Sequence, residues 1–161
     1  MKINKIDNRK GFSLIELIIV VAIIGIMGTM AVSTFQRYVK NSNLRTAARD
    51  MASDITNTRQ RAVSEGLTYR MTIRLVTGGN DYTIEQGNAA GTSFTVIARK
   101  NPPVFGANLT IASTTYSSNI ITLLPRGTIS AGTVVMQNSL GSTATITTNV
   151  TGRTHVTFAI L

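Results

Sequence analysis

This chain of 161 residues has no cysteine, no tryptophan, one histidine, three prolines and seven acidic residues. Without cysteine it has no disulfide framework, no thiol nucleophile and no thiolate metal ligand. The acids are Asp7, Glu16, Asp50, Asp54, Glu65, Asp81 and Glu85, and none follows Glu85. Acid–base, metal-assisted and Ser-His-Asp chemistry each need several such groups converging on one point, and these acids with a lone His155 do not offer them. His155, near the end of a threonine-rich stretch, reads as a surface strand residue. The chain reads as a non-enzyme with no metal and no cofactor. Scarce acids also leave sixteen lysines and arginines largely uncompensated, for a net charge of +9. Such a surplus favours anionic partners, lipid headgroups or nucleic acid among them, without selecting one.

Proline is absent before Pro102, so nothing forbids a long helix in the first hundred residues. From Leu17 to Phe35 the chain is uncharged and mostly apolar, and from Phe12 onward the only interruption is Glu16. At about 1.5 Å per residue such a helix spans a hydrocarbon core of roughly 30 Å. After it, Leu44, Ala48, Met51, Ile55, Thr58 and Ala62 recur at steps of four and three, with Ala47, Ala52 and Val63 beside them. Arg45, Arg49, Asp54, Arg59 and Arg61 lie away from the centre of that stripe, and Gly66 is a stop signal. The pattern predicts one helix from about 13 to 65, apolar all round in its first half and amphipathic in its second.

The period then changes from three and a half to two. Leu67, Tyr69, Met71, Ile73 and Leu75 alternate with Thr68, Arg70, Thr72 and Arg74, which predicts a half-buried strand. "TGGN" at 77–80 turns the chain, and Tyr82 and Ile84 alternate with Asp81, Thr83 and Glu85 in a returning strand. Further strands are expected around 94–99, 119–124, 133–138, 143–150 and 154–160, separated by clusters such as "KNPPVFGAN" and "NSLGS". The abundant threonine suits a sheet with a wet face. The fold class is α+β, a long N-terminal helix packed on an antiparallel β-sheet domain.

A secretory signal would use Lys2, Lys5, Arg9 and Lys10 as its basic region, but Glu16 sits inside the apolar run and the helical pattern continues past it. A plain membrane anchor leaves Glu16 costing up to about 2.5–3.5 kcal/mol if it lies deep in the bilayer. The positive-inside rule is ambiguous, since Arg37, Lys40, Arg45 and Arg49 balance the cations before the segment.

The stretch "KGFSLIELIIVVAIIGIMGTMAV" resembles the N-terminal methylation motif of type IV pilins and of the pseudopilins of type II secretion. The resemblance implies a leader, 1–11, cut by a prepilin peptidase between Gly11 and Phe12, with Phe12 then N-methylated. It implies a transmembrane and filament-core helix at 12–36 and a periplasmic head at 37–161, made of the amphipathic helix half 37–65 and a β domain 66–161. The implied localisation is the inner membrane, single-pass, then the pilus or pseudopilus filament. Cleavage creates a cationic amine on Phe12, and Glu16 on the same or an adjacent helix would neutralise it, making Glu16 a registry device for assembly.

Further along, "NLRTAARDMASDITNTRQRAVSEGLTYRMTI", "ITLLPRGTIS" and "VTGRTHV" are similar to segments of the H-type minor pseudopilins and related minor type IV pilins. Those relatives imply a minor subunit that helps prime or cap a filament, with other minor and major pilins or pseudopilins as partners and membrane lipid as the environment before assembly. Ser33 stands where many pilins place a helix-kinking proline, so a straighter helix is expected. A related group of minor pilins binds DNA and carries Gly-Arg-x-Arg near its C-terminus. Here the stretch is Gly152-Arg153-Thr154-His155, with His155 in place of the second arginine. DNA binding is the alternative function, with Arg153, His155, Arg126, Arg99 and Lys100 as its contacts, since no acid in 87–161 opposes them. Asn108 and Asn149 open sequons, which arise easily by chance in a threonine-rich chain and support no claim of glycosylation.

Overall fold

The computed structural model describes residues 12–102 and 108–161. It divides into two units, Met1–Gln36 and Arg37–Leu161. A single helix, α1, runs from Leu14 to Glu65. Its hydrogen bonding passes through Ser33 without interruption, as expected where no proline removes a donor. Within the first unit every described side chain is exposed, including Phe12, Leu14, Ile15, Ile24 and Met27. Among the described residues no helix is long and apolar enough to cross a membrane. The side chains of 28–33, in the middle of the apolar run, lie outside the described set.

In the second unit α1 buries one stripe, Leu44, Ala47, Ala48, Met51, Ile55, Thr58 and Ala62. These are the positions that recur at steps of four and three, so helical periodicity alone aims them at one surface. Burial of Leu44, Met51 and Ile55 contributes about 1.5–3 kcal/mol each. Val63, expected beside the stripe, is instead half exposed. The helix stops at Gly66, whose φ of +68° is the left-handed geometry glycine adopts at a helix C-terminus.

Eight strands follow: β1 (Tyr69–Arg74), β2 (Asp81–Gly87), β3 (Phe94–Lys100), β4 (Leu109–Thr114), β5 (Ile120–Leu123), β6 (Gly132–Asn138), β7 (Thr143–Thr148) and β8 (Thr154–Ala159). They form two antiparallel four-stranded sheets, β3-β2-β1-β5 and β4-β6-β7-β8. The expected hairpins and the late strands are present within a few residues. β4 is the strand that sequence reading passed over. Its register with β6 shifts between Ile111 and Ser113, so its alternation is broken by a bulge.

The β1–β2 ladder places Arg70 opposite Glu85 and Arg74 opposite Asp81. Both pairs form ion-paired hydrogen bonds, and Arg99 reaches Asp81 from β3 at 3.7 Å. Sequence reading gives β2 one wet face. The structure buries Asp81, Tyr82, Thr83, Ile84 and Glu85 alike, because arginines from β1 and β3 close over the acidic face. The Arg70 guanidinium also stacks 4.0 Å from the Phe94 ring centroid. On the opposite face the Tyr82 hydroxyl donates to Asp54 of α1 at 2.6 Å, and Lys100 ties Asp54 and Asp50 at 2.9 and 3.2 Å. Helix and first sheet are thus joined by buried polar contacts as well as by the apolar stripe.

Arg59 of α1 performs a similar task at the other sheet. Its Nε donates to the Gly127 carbonyl at 2.7 Å and its Nη2 to the Thr151 carbonyl at 3.3 Å. Those carbonyls belong to two separate turns, which also meet through Ile129 N–H donating to Val150 O at 3.3 Å. Gly152 packs against the guanidinium with φ +85°, and a Cβ there would collide with Arg59.

This packing makes two predictions. Gly152→Ala meets both a left-handed backbone and an occupied space, whereas Gly66→Ala meets a φ of +68° with nothing within 4 Å. Backbone strain costs about 1–2 kcal/mol at either site, and displacing Arg59 adds about 1–3 kcal/mol at Gly152 alone. Thermal unfolding of the full chain in detergent should therefore show the larger loss for Gly152→Ala.

The second prediction concerns pH. Burial raises the Glu85 carboxyl, but hydrogen bonds from Arg70, Thr83 and Thr72 and the Arg70 charge outweigh it and hold the group below its ordinary 4.5. Its contribution to stability is complete above that value and is lost as pH falls through the lowered folded value. Burial lowers the Lys100 ammonium, but Asp54 and Asp50 outweigh it and raise the group above 10.5. Its contribution is complete below that value and is lost as pH rises through the raised one. The unfolding midpoint should fall at both extremes, and Glu85→Gln should lower stability by about 1–3 kcal/mol at neutral pH while flattening the acid limb. An unchanged acid limb in Glu85→Gln would contradict the assignment.

Candidate functional site

The first unit carries one charge among its described residues, Glu16. Phe12 and Ser13 precede the helix, and the Ser13 carbonyl accepts from the backbone N–H of Glu16 at 3.1 Å and of Leu17 at 3.2 Å. Ser13 therefore opens α1, and Glu16 occupies its first turn, where a carboxylate also complements the positive end of the helix dipole. Ser13-Leu14-Ile15-Glu16 has the Ser-x-x-Glu spacing of a capping box, a pattern that sequence reading passed over. Phe12 is 77% exposed, and Glu16 is exposed among apolar neighbours. Gly11 and the rest of 1–11 lie outside the described residues. What this element offers is a lone anion at the start of an apolar helix, four residues after Phe12.

The cations singled out for DNA separate into two groups. Lys100 is held by Asp50 and Asp54, and Arg99 faces Asp81, so acids from α1 and β2 oppose these two although none lies beyond Glu85 in sequence. Arg126, Arg153 and His155 are exposed, and among the described residues none of them forms an ion pair. Arg126 precedes Gly127 and Arg153 follows Gly152, so the Arg59 clasp brings these two cations onto adjacent turns. Asn149 fixes the second turn through its Oδ1, which accepts from Arg153 N–H at 2.8 Å. His155 stands opposite Thr147 on β8, one strand residue beyond the turn.

Sequence reading placed Arg59 away from the centre of the helical stripe and missed the clasp, whose carbonyl partners are 68 and 92 residues away. The one sequence signal for it was the pair of Arg/Gly steps, Arg126-Gly127 and Gly152-Arg153. Tyr82 was likewise read only as an apolar strand residue. Its hydroxyl is buried against Asp54, and burial first, then that hydrogen bond, pushes its ionisation upward. Among the described residues no three acidic or imidazole side chains gather where a metal ion could be held.

Residues 6–32 fit the prokaryotic N-terminal methylation motif, and residues 47–152 fit the family described as type II transport protein GspH. Among solved structures, the chain is similar to the minor pseudopilin EpsH of the Vibrio cholerae type 2 secretion system, at 10% identity and a TM-score of 0.59, covering 71% of this chain and 96% of that one. Escherichia coli GspH gives 15% identity and 0.59, covering 75% and 92%. The Pseudomonas aeruginosa type IV minor pilin FimU gives 17% and 0.53, covering 71% and 92%. These likenesses establish the pilin and pseudopilin fold. With a family model matching most of its length, this chain belongs to the GspH family of type II transport proteins.

Proposed function

We propose that this chain is a minor structural subunit that helps prime or cap a type II secretion pseudopilus or a type IV pilus. The observation that carries the reading is the lone Glu16 in the first turn of an apolar helix whose described side chains up to Gln36 are exposed. Such a helix needs lipid or other helices around it, and a carboxylate there needs a cation. On this reading a prepilin peptidase cuts between Gly11 and Phe12, and the Phe12 amine is methylated. Residues 12–36 reside in the inner membrane with 37–161 in the periplasm, and α1 then enters a bundle with other pilins or pseudopilins. Where Glu16 pairs with the N-terminal amine of an adjacent subunit, the two meet only at one axial offset, and charge neutralisation then selects the register.

A capping role and the registry role would make different demands on residue 16. Glutamine can serve the cap but carries no charge. Glu16→Gln and Glu16→Ala should therefore both insert in the membrane and both fail to enter filaments. Filament entry restored by glutamine would reassign Glu16 to the helix start. In the same assay a bulky residue at Gly11 should leave the precursor at full mass.

A second reading, DNA binding, is favoured by Arg126 and Arg153 standing exposed on adjacent turns. The full chain in neutral detergent should then bind duplex DNA with a salt-dependent affinity, and Arg153→Ala should weaken binding and reduce the salt slope by about one. Absence of binding at low salt would remove this reading.

A further inference from the structure

The five acids of the second unit all face partners inside it. Asp50 and Asp54 hold Lys100, Asp81 faces Arg74 and Arg99, Glu85 pairs with Arg70, and Glu65 accepts from Tyr69 and from Gln86. Arg37, Lys40, Arg45 and Arg49 are the four cations that follow the apolar segment, and among the described residues none of them forms an ion pair. No acid lies between Glu16 and Asp50 to oppose them.

Two of these cations are arranged as a pair. Arg45 and Arg49, one helical turn apart, place their guanidinium carbons 5.8 and 5.9 Å from the centroid of the same ring, Phe158 of β8. Like charges at this spacing repel, and an anion bridging them relieves the repulsion. Beside them Tyr38, Asn41, Ser42, Arg45 and Ile160 line a cavity of about 240 Å³ between α1 and the end of β8. Asn138 Nδ2 donates to Asn41 Oδ1 at 2.8 Å and Asn41 Nδ2 donates to Leu161 O at 3.5 Å, so both ends of the Asn41 amide are engaged and fix it as part of the wall, and Tyr38 is 71% exposed at the rim. The cavity therefore joins the Arg45 cation and the Ser42 hydroxyl to the aromatic wall of Tyr38 and the aliphatic wall of Ile160.

We propose that this crevice binds the headgroup of an anionic phospholipid, with the phosphodiester between Arg45 and Arg49 and the glycerol end against Tyr38 and Ile160. The proposal rests on the membrane residence of 12–36 proposed above. Chain continuity then sets residues 37 onward at the bilayer interface, the depth at which tyrosine is enriched and at which basic side chains can meet lipid headgroups. The apolar walls favour a lipid over a free phosphate, and the unopposed cations favour an anionic headgroup over a zwitterionic one. The bound lipid would hold the head at the membrane surface until the helix is withdrawn.

The test uses the full chain in neutral detergent, titrated with dihexanoyl phosphatidylglycerol, dihexanoyl phosphatidylcholine or inorganic phosphate, and reads the unfolding midpoint. Phosphatidylglycerol should raise the midpoint saturably, and the other two should not at equal concentration. Arg45→Ala with Arg49→Ala should weaken the apparent affinity about fivefold per cation. Arg61→Ala, roughly 24 Å away along the same helix by its rise per residue, should leave that affinity unchanged. Saturation by phosphate alone, an equal effect of phosphatidylcholine, or an equal loss in Arg61→Ala would each overturn the site. Carbonate-resistant sedimentation of the same chain from cells tests the parent reading separately. A chain that sediments with membranes yet shows no headgroup preference sinks only the lipid site, and one that does not sediment sinks the membrane residence.

Discussion

The constraint on which the second unit depends is that all five of its carboxylates are engaged within it. Three of them, Asp54, Asp81 and Glu85, are buried, and a buried carboxylate without a cation or donor costs several kcal/mol. The strand register answers that demand, since Arg70 and Arg74 fall directly across from Glu85 and Asp81. A slip of one residue would turn both arginines to the opposite face and leave two buried charges alone. The polar contacts therefore select a register that apolar alternation also favours. Asp54 does the same for the helix, because only one rotation of α1 presents it to Tyr82 and Lys100 while turning Leu44, Met51 and Ile55 inward.

This internal allotment determines what the surface offers. With acids turned inward, the cations without ion pairs among the described residues include two groups, Arg126 and Arg153 on adjacent turns and Arg37, Lys40, Arg45 and Arg49 on the first turns of the helix beyond Gln36. The +9 net charge is therefore patterned. A uniform basic surface would bind any anion weakly. Two localised clusters, one on rigid glycine turns and one beside an amphipathic crevice, can discriminate between anions by the shape and polarity of what surrounds the charge.

Much of this was legible from residue spacing. The helical stripe, the alternation of β1 and the stop at Gly66 were readable because each is a local property, set by a period or by one residue's backbone freedom. The division into two sheets and the existence of β4 were not. β4 carries two large apolar residues, Leu109 and Ile111, before its bulge, too short a pattern to separate from the loop before it. Nor could spacing show that Lys100 meets Asp50 and Asp54, or that Arg59 gathers two distant carbonyls. Such contacts are decided by tertiary packing, and sequence reading accordingly left Arg99 and Lys100 unopposed.

Glu16 illustrates the same divide between local and assembled meaning. Within one chain it has a sufficient local explanation, the first turn of a helix opened by Ser13, where a carboxylate contributes about 0.3–1 kcal/mol. That contribution would come equally from any Asp or Glu in the first turn of a soluble helix, and it does not require apolar neighbours on all sides. Its setting raises the stakes: once other helices or lipid surround residues 12–27, the carboxylate loses water, and the cost of an unpaired charge rises to several kcal/mol. That cost exceeds the gain at the helix start, so on the proposed reading it would govern which arrangements of neighbouring helices are allowed. On the proposed reading, a residue that begins as a helix start would thus become, on burial, a constraint on axial position, answered by the Phe12 amine that processing would create on an adjacent subunit.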